Sequence, residues 1–313
     1  MRKAKDYVLL FLKGMGMGAA DVVPGVSGGT IAFITGIYEE LLGSIRSVNK
    51  DWLLLLRRFK IVEAYQHING NFLVVLVAGI LLSALSMGPL VADWLEVYPI
   101  QTWSFFFGLI IISCLSVARQ ASPWGWKNGL AALIGAAIAF YVTIATPAQT
   151  PETLWFVVLS GAIAICAMIL PGISGAFILL LLGKYRFIFD SISNFDIPII
   201  LAFMVGVLVG LISFARGLSW LLKHHHNVTV GLLAGFMVGS LNKIWPWKEI
   251  VTFRVNSHGE QVPLITRNVL PTDFQTITGQ EPHILQAILF VGIGVFLVVV
   301  LEKIATLRRN PQR

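Results

Sequence analysis

The chain reads as an all-α polytopic membrane protein built as an inverted repeat. Three observations predict this. First, the 313 residues are 56% hydrophobic and only 12% charged. A soluble domain carries about 25% charged residues, so lipid must replace water around much of this surface. Second, six apolar runs reach the roughly 20 residues that a spanning helix needs: 72–92, 102–118, 128–147, 198–222, 228–245 and 284–302. Third, one unusual segment occurs twice. Val23-Pro24-Gly25-Val26-Ser27-Gly28-Gly29-Thr30 returns 147 residues later as Leu170-Pro171-Gly172-Ile173-Ser174-Gly175-Ala176-Phe177. Gly36-Ile37-Tyr38 returns at the same offset as Gly183-Lys184-Tyr185.

Taken in order, the first element is 7–45, a pair of short helices hinged at Pro24-Gly25 and read as a re-entrant hairpin. Backbone leaves a helix at membrane depth only where protein or a wet cavity satisfies it. The start of the chain, basic and then apolar up to Ala20, imitates a signal peptide. The repeat argues against cleavage, because the approach to Pro24 belongs to the duplicated unit. A basic loop, 46–71, leads to the spans 72–92, 102–118 and 128–147, which complete a first repeat over 1–147. The hairpin 152–190 and the spans 198–222, 228–245 and 284–302 form a second over 152–302, and 303–313 is a tail. Gly79, Ser86, Gly108 and Ser113 recur 127 residues later as Gly206, Ser213, Gly235 and Ser240. Three crossings per unit is an odd number, so the second unit is inverted relative to the first. Inverted repeats with broken helices are a common build of secondary transporters.

Charge fixes the expected orientation. Sixteen of the 23 Lys and Arg fall in 1–6, 46–71, 119–127, 216–227 and 303–313, and six on the other side. Positive residues stay cytoplasmic, so both termini are expected inside and 246–283 outside. The net charge of +7 then reflects topology and anionic lipid headgroups, and no nucleic-acid partner is expected. Cys114 and Cys166 lie in apolar runs and read as free thiols. His224-His225-His226 cannot all face one ion on a helix, and no metal or cofactor is expected. Trp94, Trp103, Trp124, Trp126, Trp155, Trp245 and Trp247 fall near span ends and read as interfacial belts.

The hinges carry the chemistry. A helix starting after Pro24-Gly25 points unpaired amides at the break, its dipole favours an anion there, and Ser27, Gly28, Gly29 and Thr30 offer hydroxyls and bare backbone. That is a cradle for phosphate or carboxylate. Pro171, Gly172, Ser174 and Gly175 form a less polar second copy. The bland alternative is that Pro-Gly ends a helix and small residues pack tightly. Asp21 is an intramembrane carboxylate and a functional candidate, either as carrier of a coupling proton or as a cap for freed amides. Lys13, Tyr38, Glu39, Arg119 and Tyr185 are further candidates, with snorkelling the alternative for Lys13 and positive-inside anchoring for Arg119.

The run Lys13-Gly14 … Gly18-Ala19-Ala20-Asp21-Val22-Val23-Pro24-Gly25-Val26-Ser27-Gly28-Gly29-Thr30 … Gly36-Ile37-Tyr38-Glu39 resembles the signature of the bacterial polyprenyl-phosphate transporter family (PopT). The resemblance extends over nearly the whole chain. It implies a protein of the bacterial cytoplasmic membrane that returns undecaprenyl phosphate, the lipid carrier of envelope precursors, from the outer to the inner leaflet. The layout is also distantly similar to bacitracin-resistance-type undecaprenyl-pyrophosphate phosphatases. That family has two glutamates four residues apart in its first segment and an arginine in its second turn. Met17, Asp21 and Gly175 stand at the matching positions. Hydrolysis would lose its acid/base pair and charge clamp, whereas recognition of phosphate by amides would survive. A lipid-phosphate translocase with no catalytic residues is therefore the leading expectation. A polyprenyl (pyro)phosphate phosphatase and a soluble-anion transporter are the alternatives. The coupling ion, proton or sodium, and the oligomeric state stay open.

Overall fold

The computed structural model describes residues 2–23, 25–255 and 261–309, with side chains described outside 253–264 and 304–309. The first hairpin comprises α1 (Ala4–Val22), α2 (Gly28–Ile34) and α3 (Tyr38–Arg46). The basic loop folds into α4 (Lys50–Arg57) and α5 (Ile61–His67). Then come α6 (Gly70–Val97), α7 (Pro99–Gln120) and α8 (Trp126–Ile144). The second hairpin is α9 (Leu154–Ile169), α10 (Gly175–Leu181) and α11 (Tyr185–Ser193), followed by α12 (Ile197–His224) and α13 (His226–Ser240). A β-hairpin, β1 (Lys248–Val255) and β2 (Gln261–Asn268), and the short α14 (Pro271–Thr278) precede α15 (Ile284–Arg309).

Among the described residues five helices, α6, α7, α8, α12 and α15, are long and apolar enough to cross a membrane. The 28-residue α6 and α12 are each ~42 Å long at 1.5 Å per residue, enough to cross with tilt. The sixth expected span, 228–245, is a shorter helix than expected: α13 has 15 residues and stops at Ser240. Polar groups supply the reason. The Lys243 amide bonds Ser240 O at 2.8 Å, and Asn242 Nδ2 donates to Thr143 Oγ1 at 2.7 Å. Pro246 then bars any continuation. The all-α expectation also missed the β-hairpin, whose β-branched and aromatic residues suit a pleated ribbon.

In each hairpin the short helix folds back along the long one. Position 28 lies against Met17 and Asp21, and Gly16 against Ile31. In the second hairpin position 175 lies against Ala164 and Met168. The long helices pack in four pairs: α1 with α6, α9 with α12, α8 with α13, and α7 with α15. Small residues permit this closeness, as is usual for helices in lipid. A Cβ on Gly79 would lie 3.1 Å from the Gly14 Cα, and one on Gly206 would lie 3.0 Å from the Val158 Cα.

Two faces result. Arg2, Arg119 and Glu302 line one cleft, so both ends of the described chain lie on one side, the termini face. The β-hairpin and α14 form a lid on the other. Trp247, Val269 and Phe274 pack there against Ile100 at the start of α7 and Ala287 at the start of α15. This corrects the belt reading for three tryptophans. Trp94, Trp124, Trp126 and Trp155 are exposed, but Trp245 and Trp247 bond Val269 O and Pro282 O within the lid, and Trp103 lies beneath Lys248. Cys114 and Cys166 are free.

Candidate functional site

The first hinge begins where α1 ends, the Val23 amide bonding Ala20 O. Pro24 lies outside the described residues. Gly25 has φ 91° and its counterpart Gly172 has φ 86°, a left-handed conformation that glycine adopts without steric cost. Ser27 then caps α2: its Oγ accepts from the Gly29 amide at 3.0 Å. The Gly28 amide donates to Asp21 Oδ1 at 2.7 Å, and the Thr30 amide to Ser27 O at 2.9 Å. So the first amides of α2 are already satisfied. A carboxylate of the protein occupies the position where an anion is favoured.

The second hinge closes onto the first. Ser27 Oγ donates to Met168 O at 2.9 Å, and Tyr38 OH to Ile169 O at 3.2 Å. These are carbonyls from the last turn of α9, which a helix end leaves without intrahelical partners. In return the Gly172 amide donates to Thr30 Oγ1 at 3.2 Å. A Cβ on Gly29 would run into Ile169 O. Ser27 and Thr30 have no exposed surface, and Pro171, Gly172, Ser174 and Gly175 are all buried. Ser174 caps α10 with no side-chain hydrogen bond.

Three cavities surround this closed joint. On the termini face a cleft of about 580 Å³ is lined by Arg2, Asp6, Lys13, Ile34, Ser116, Arg119 and Glu302, among others. Lys13 Nζ donates to Thr35 O at 2.6 Å beside it, and Arg2 pairs with Glu40. The Ser116 hydroxyl is buried and has no hydrogen-bond partner among the described residues. Next to it lies a groove of about 880 Å³ between α1, α2, α6, α7 and α15. Its wall is almost wholly apolar, including Ala20, Ile31, Val91, Phe105, Phe290 and Leu297. Ile34 belongs to both linings. On the lid face a smaller cavity of about 350 Å³ includes Lys243, Lys248 and Arg267.

The structure therefore brings Asp21, Ser27, Gly28, Gly29 and Thr30 together with Gly172, and adds Tyr38. Lys13 and Arg119 join the cleft instead. Glu39 lines a separate recess with Arg46 and Lys223, and Tyr185 packs on Phe189. Two groups escaped the sequence. Lys243 was counted only among the six cations of the far side, and its Cγ would lie 2.8 Å from a Cβ on Gly25. Lys184, placed with them, is 1% exposed and donates to Thr150 O at 2.9 Å. Asn242-Lys243 inside an apolar run was the one signal for the first.

Comparison with known proteins identifies a family. Residues 17–262 match a family described as undecaprenyl phosphate translocase-like. A polyprenyl-phosphate transporter of Vibrio cholerae serotype O1 is 48% identical over 303 residues, covering 97% of this chain and 98% of the relative. A polyprenyl-phosphate transporter of Staphylococcus aureus is 35% identical over 255 residues, covering 75% and 85%. No solved structure matches. With most of its length matched and a near full-length relative at this identity, the chain belongs to the undecaprenyl phosphate translocase-like family.

Proposed function

We propose that this chain carries a polyprenyl phosphate of the undecaprenyl class across the bacterial cytoplasmic membrane and does not hydrolyse it. The observation that carries this is the junction at Ile34, where a long apolar groove meets a polar cleft that holds Arg2, Lys13 and Arg119 beside Asp6 and Glu302. Such a shape suits one small anion attached to one long hydrocarbon. The names of the relatives support the same substrate.

The orientation supported by the cation asymmetry puts the termini face in the cytoplasm and the lid outside. The two units are then inverted repeats, each a re-entrant hairpin plus three crossings. The recurrence of seven-residue α2 and α10, nine-residue α3 and α11, and 28-residue α6 and α12 supports this. In this reading the paired hinges are both gate and binding element. When they separate, Asp21 leaves the Gly28 amide and the substrate phosphate takes its place, with Ser27, Gly29, Thr30 and the Gly172 amide as further donors. The prenyl chain stays in the apolar groove. Met17 and Gly175 offer no acid/base partner or charge clamp, which favours carrying over cleaving.

The test uses the full chain in liposomes containing undecaprenyl phosphate and a membrane-impermeant phosphatase added outside. Protein-containing vesicles should lose the whole pool, and protein-free vesicles only the outer leaflet's share. Loss that stops at the outer share in both would overturn the transport reading. Phosphate release by the protein alone would turn it into an enzyme.

A further inference from the structure

The lid-face cavity has a chemistry that the hinges do not explain. Its donors are Thr143, Asn242, Lys243, Lys248, Arg267 and Asn268. Lys248 Nζ lies 2.7 Å from Lys243 O and 3.5 Å from the Trp103 ring centre. Lys243 Nζ lies 4.3 Å from the Phe177 ring centre. Among the described residues neither ammonium has a carboxylate within ion-pair distance, whereas Arg267 is paired with Glu249 at 2.7 Å. Burial alone pulls Lys243 below the usual lysine range, and burial plus the Lys243 charge pulls Lys248 well below it. Two desolvated cations side by side are costly unless an anion joins them.

The rim is held in place. Asn242 Nδ2 donates to Thr143 Oγ1, and Asn268 Nδ2 to Asn242 O at 2.8 Å and Oδ1 at 2.9 Å, tying β2, the turn after α13 and the end of α8 together. The other wall is apolar: Ile144, Pro147, Leu180 and Leu181. The floor adjoins the gate, because the Lys243 stem covers Gly25.

We propose that this cavity is a second phosphate-monoester site, on the lid face, where the headgroup of a prenyl phosphate docks before the hinges open. The assignment rests on the transport reading above. A dianion between Lys243 and Lys248 offsets both positive charges, and the apolar wall receives the first prenyl units. Lys243 then links the loaded headgroup to Gly25, so binding bears directly on the first hinge.

Binding of farnesyl phosphate to the full chain in nanodiscs tests this, with inorganic phosphate as the soluble arm. Lys243→Gln and Lys248→Gln should each weaken farnesyl phosphate about tenfold or more, as expected for loss of a charged hydrogen-bond donor. Lys248→Arg should retain binding, and a melting curve confirms that each variant is folded. Transport by the folded variants, supplied from the lid face, should show a raised half-saturating concentration. If the wild type transports and the glutamine variants match it in affinity, this site is wrong and the transport reading stands. If the wild type moves no lipid, the transport reading itself fails. Inorganic phosphate binding as tightly as farnesyl phosphate would overturn the lipid assignment.

Discussion

At the first hinge Asp21 holds the Gly28 amide; at the second, 147 residues on, the matching residue is Met168, and the matching glycine is Gly175. Thr30 corresponds to Phe177, and Gly29 to Ala176. The backbones agree, with φ 91° and 86° at Gly25 and Gly172, but the polar side chains are concentrated on one side. Ser27 and Tyr38 cap the open end of α9, and Thr30 accepts from Gly172. Among the described residues Ser174 returns no such bond to α1. The first hinge therefore supplies partners to the broken backbone of the second as well as to its own. A joint of this kind parts only if several buried groups lose partners together, which suits a gate with two discrete positions better than a hinge that flexes gradually.

The sharpest way to break this comparison is to add bulk at matched positions. Gly29→Val drives a branched side chain into Ile169 O, so transport should be abolished and stability should fall by about 1–3 kcal/mol, the usual range for overpacking. Ala176→Val, at an exposed position, should stay within about 0.5 kcal/mol and remain active. Growth complementation read beside membrane expression level decides it. Equal behaviour of the pair would remove the asymmetry.

Asp21→Asn tests whether the carboxylate is exchanged for substrate. The amide oxygen still accepts from Gly28, so stability should drop by only about 1 kcal/mol. Without its negative charge, lipid phosphate should bind more tightly and turn over severalfold more slowly. Met168→Leu should change neither quantity. A maximal rate and half-saturation equal to wild type would reduce Asp21 to a cap.

Serine deletions give a smaller contrast. Ser27→Ala loses both the cap on Gly29 and the bond to Met168 O, about 1–2 kcal/mol. Ser174→Ala should cost less than about 0.5 kcal/mol. Thermal melting in one detergent compares them directly. Tyr38→Phe removes one bond to Ile169 O, worth about 0.5–1.5 kcal/mol. Faster substrate-independent opening, seen as cysteine labelling near Ile169, should accompany it; an unchanged labelling rate would show that Tyr38 does not hold the gate.

Much of the architecture was legible because bilayer thickness sets element length. Five of the six spans appear as long helices, and both Pro-Gly breaks fall between a long helix and a seven-residue one. The sixth was overread because hydropathy averages over Asn242 and Lys243, while the helix ends there through their individual bonds. The β-hairpin was missed because a short polar-flanked strand carries little periodic signal.

At the site, the residue types were visible and their partners were not. An apolar stretch interrupted by Asp21, Pro24 and glycines identifies a break in any membrane helix, since the cost of that carboxylate and of freed amides is local. Composition and repeat alone determined that much, and with it a mostly helical chain with several candidate membrane spans. Tertiary structure decided the rest: that Ser27 and Tyr38 reach carbonyls more than 130 residues away, and that Lys243 lies on Gly25. The physical reason is that a hydrogen bond or a buried charge depends on what packs opposite it, and in this chain the opposite surface comes from the other half of the sequence.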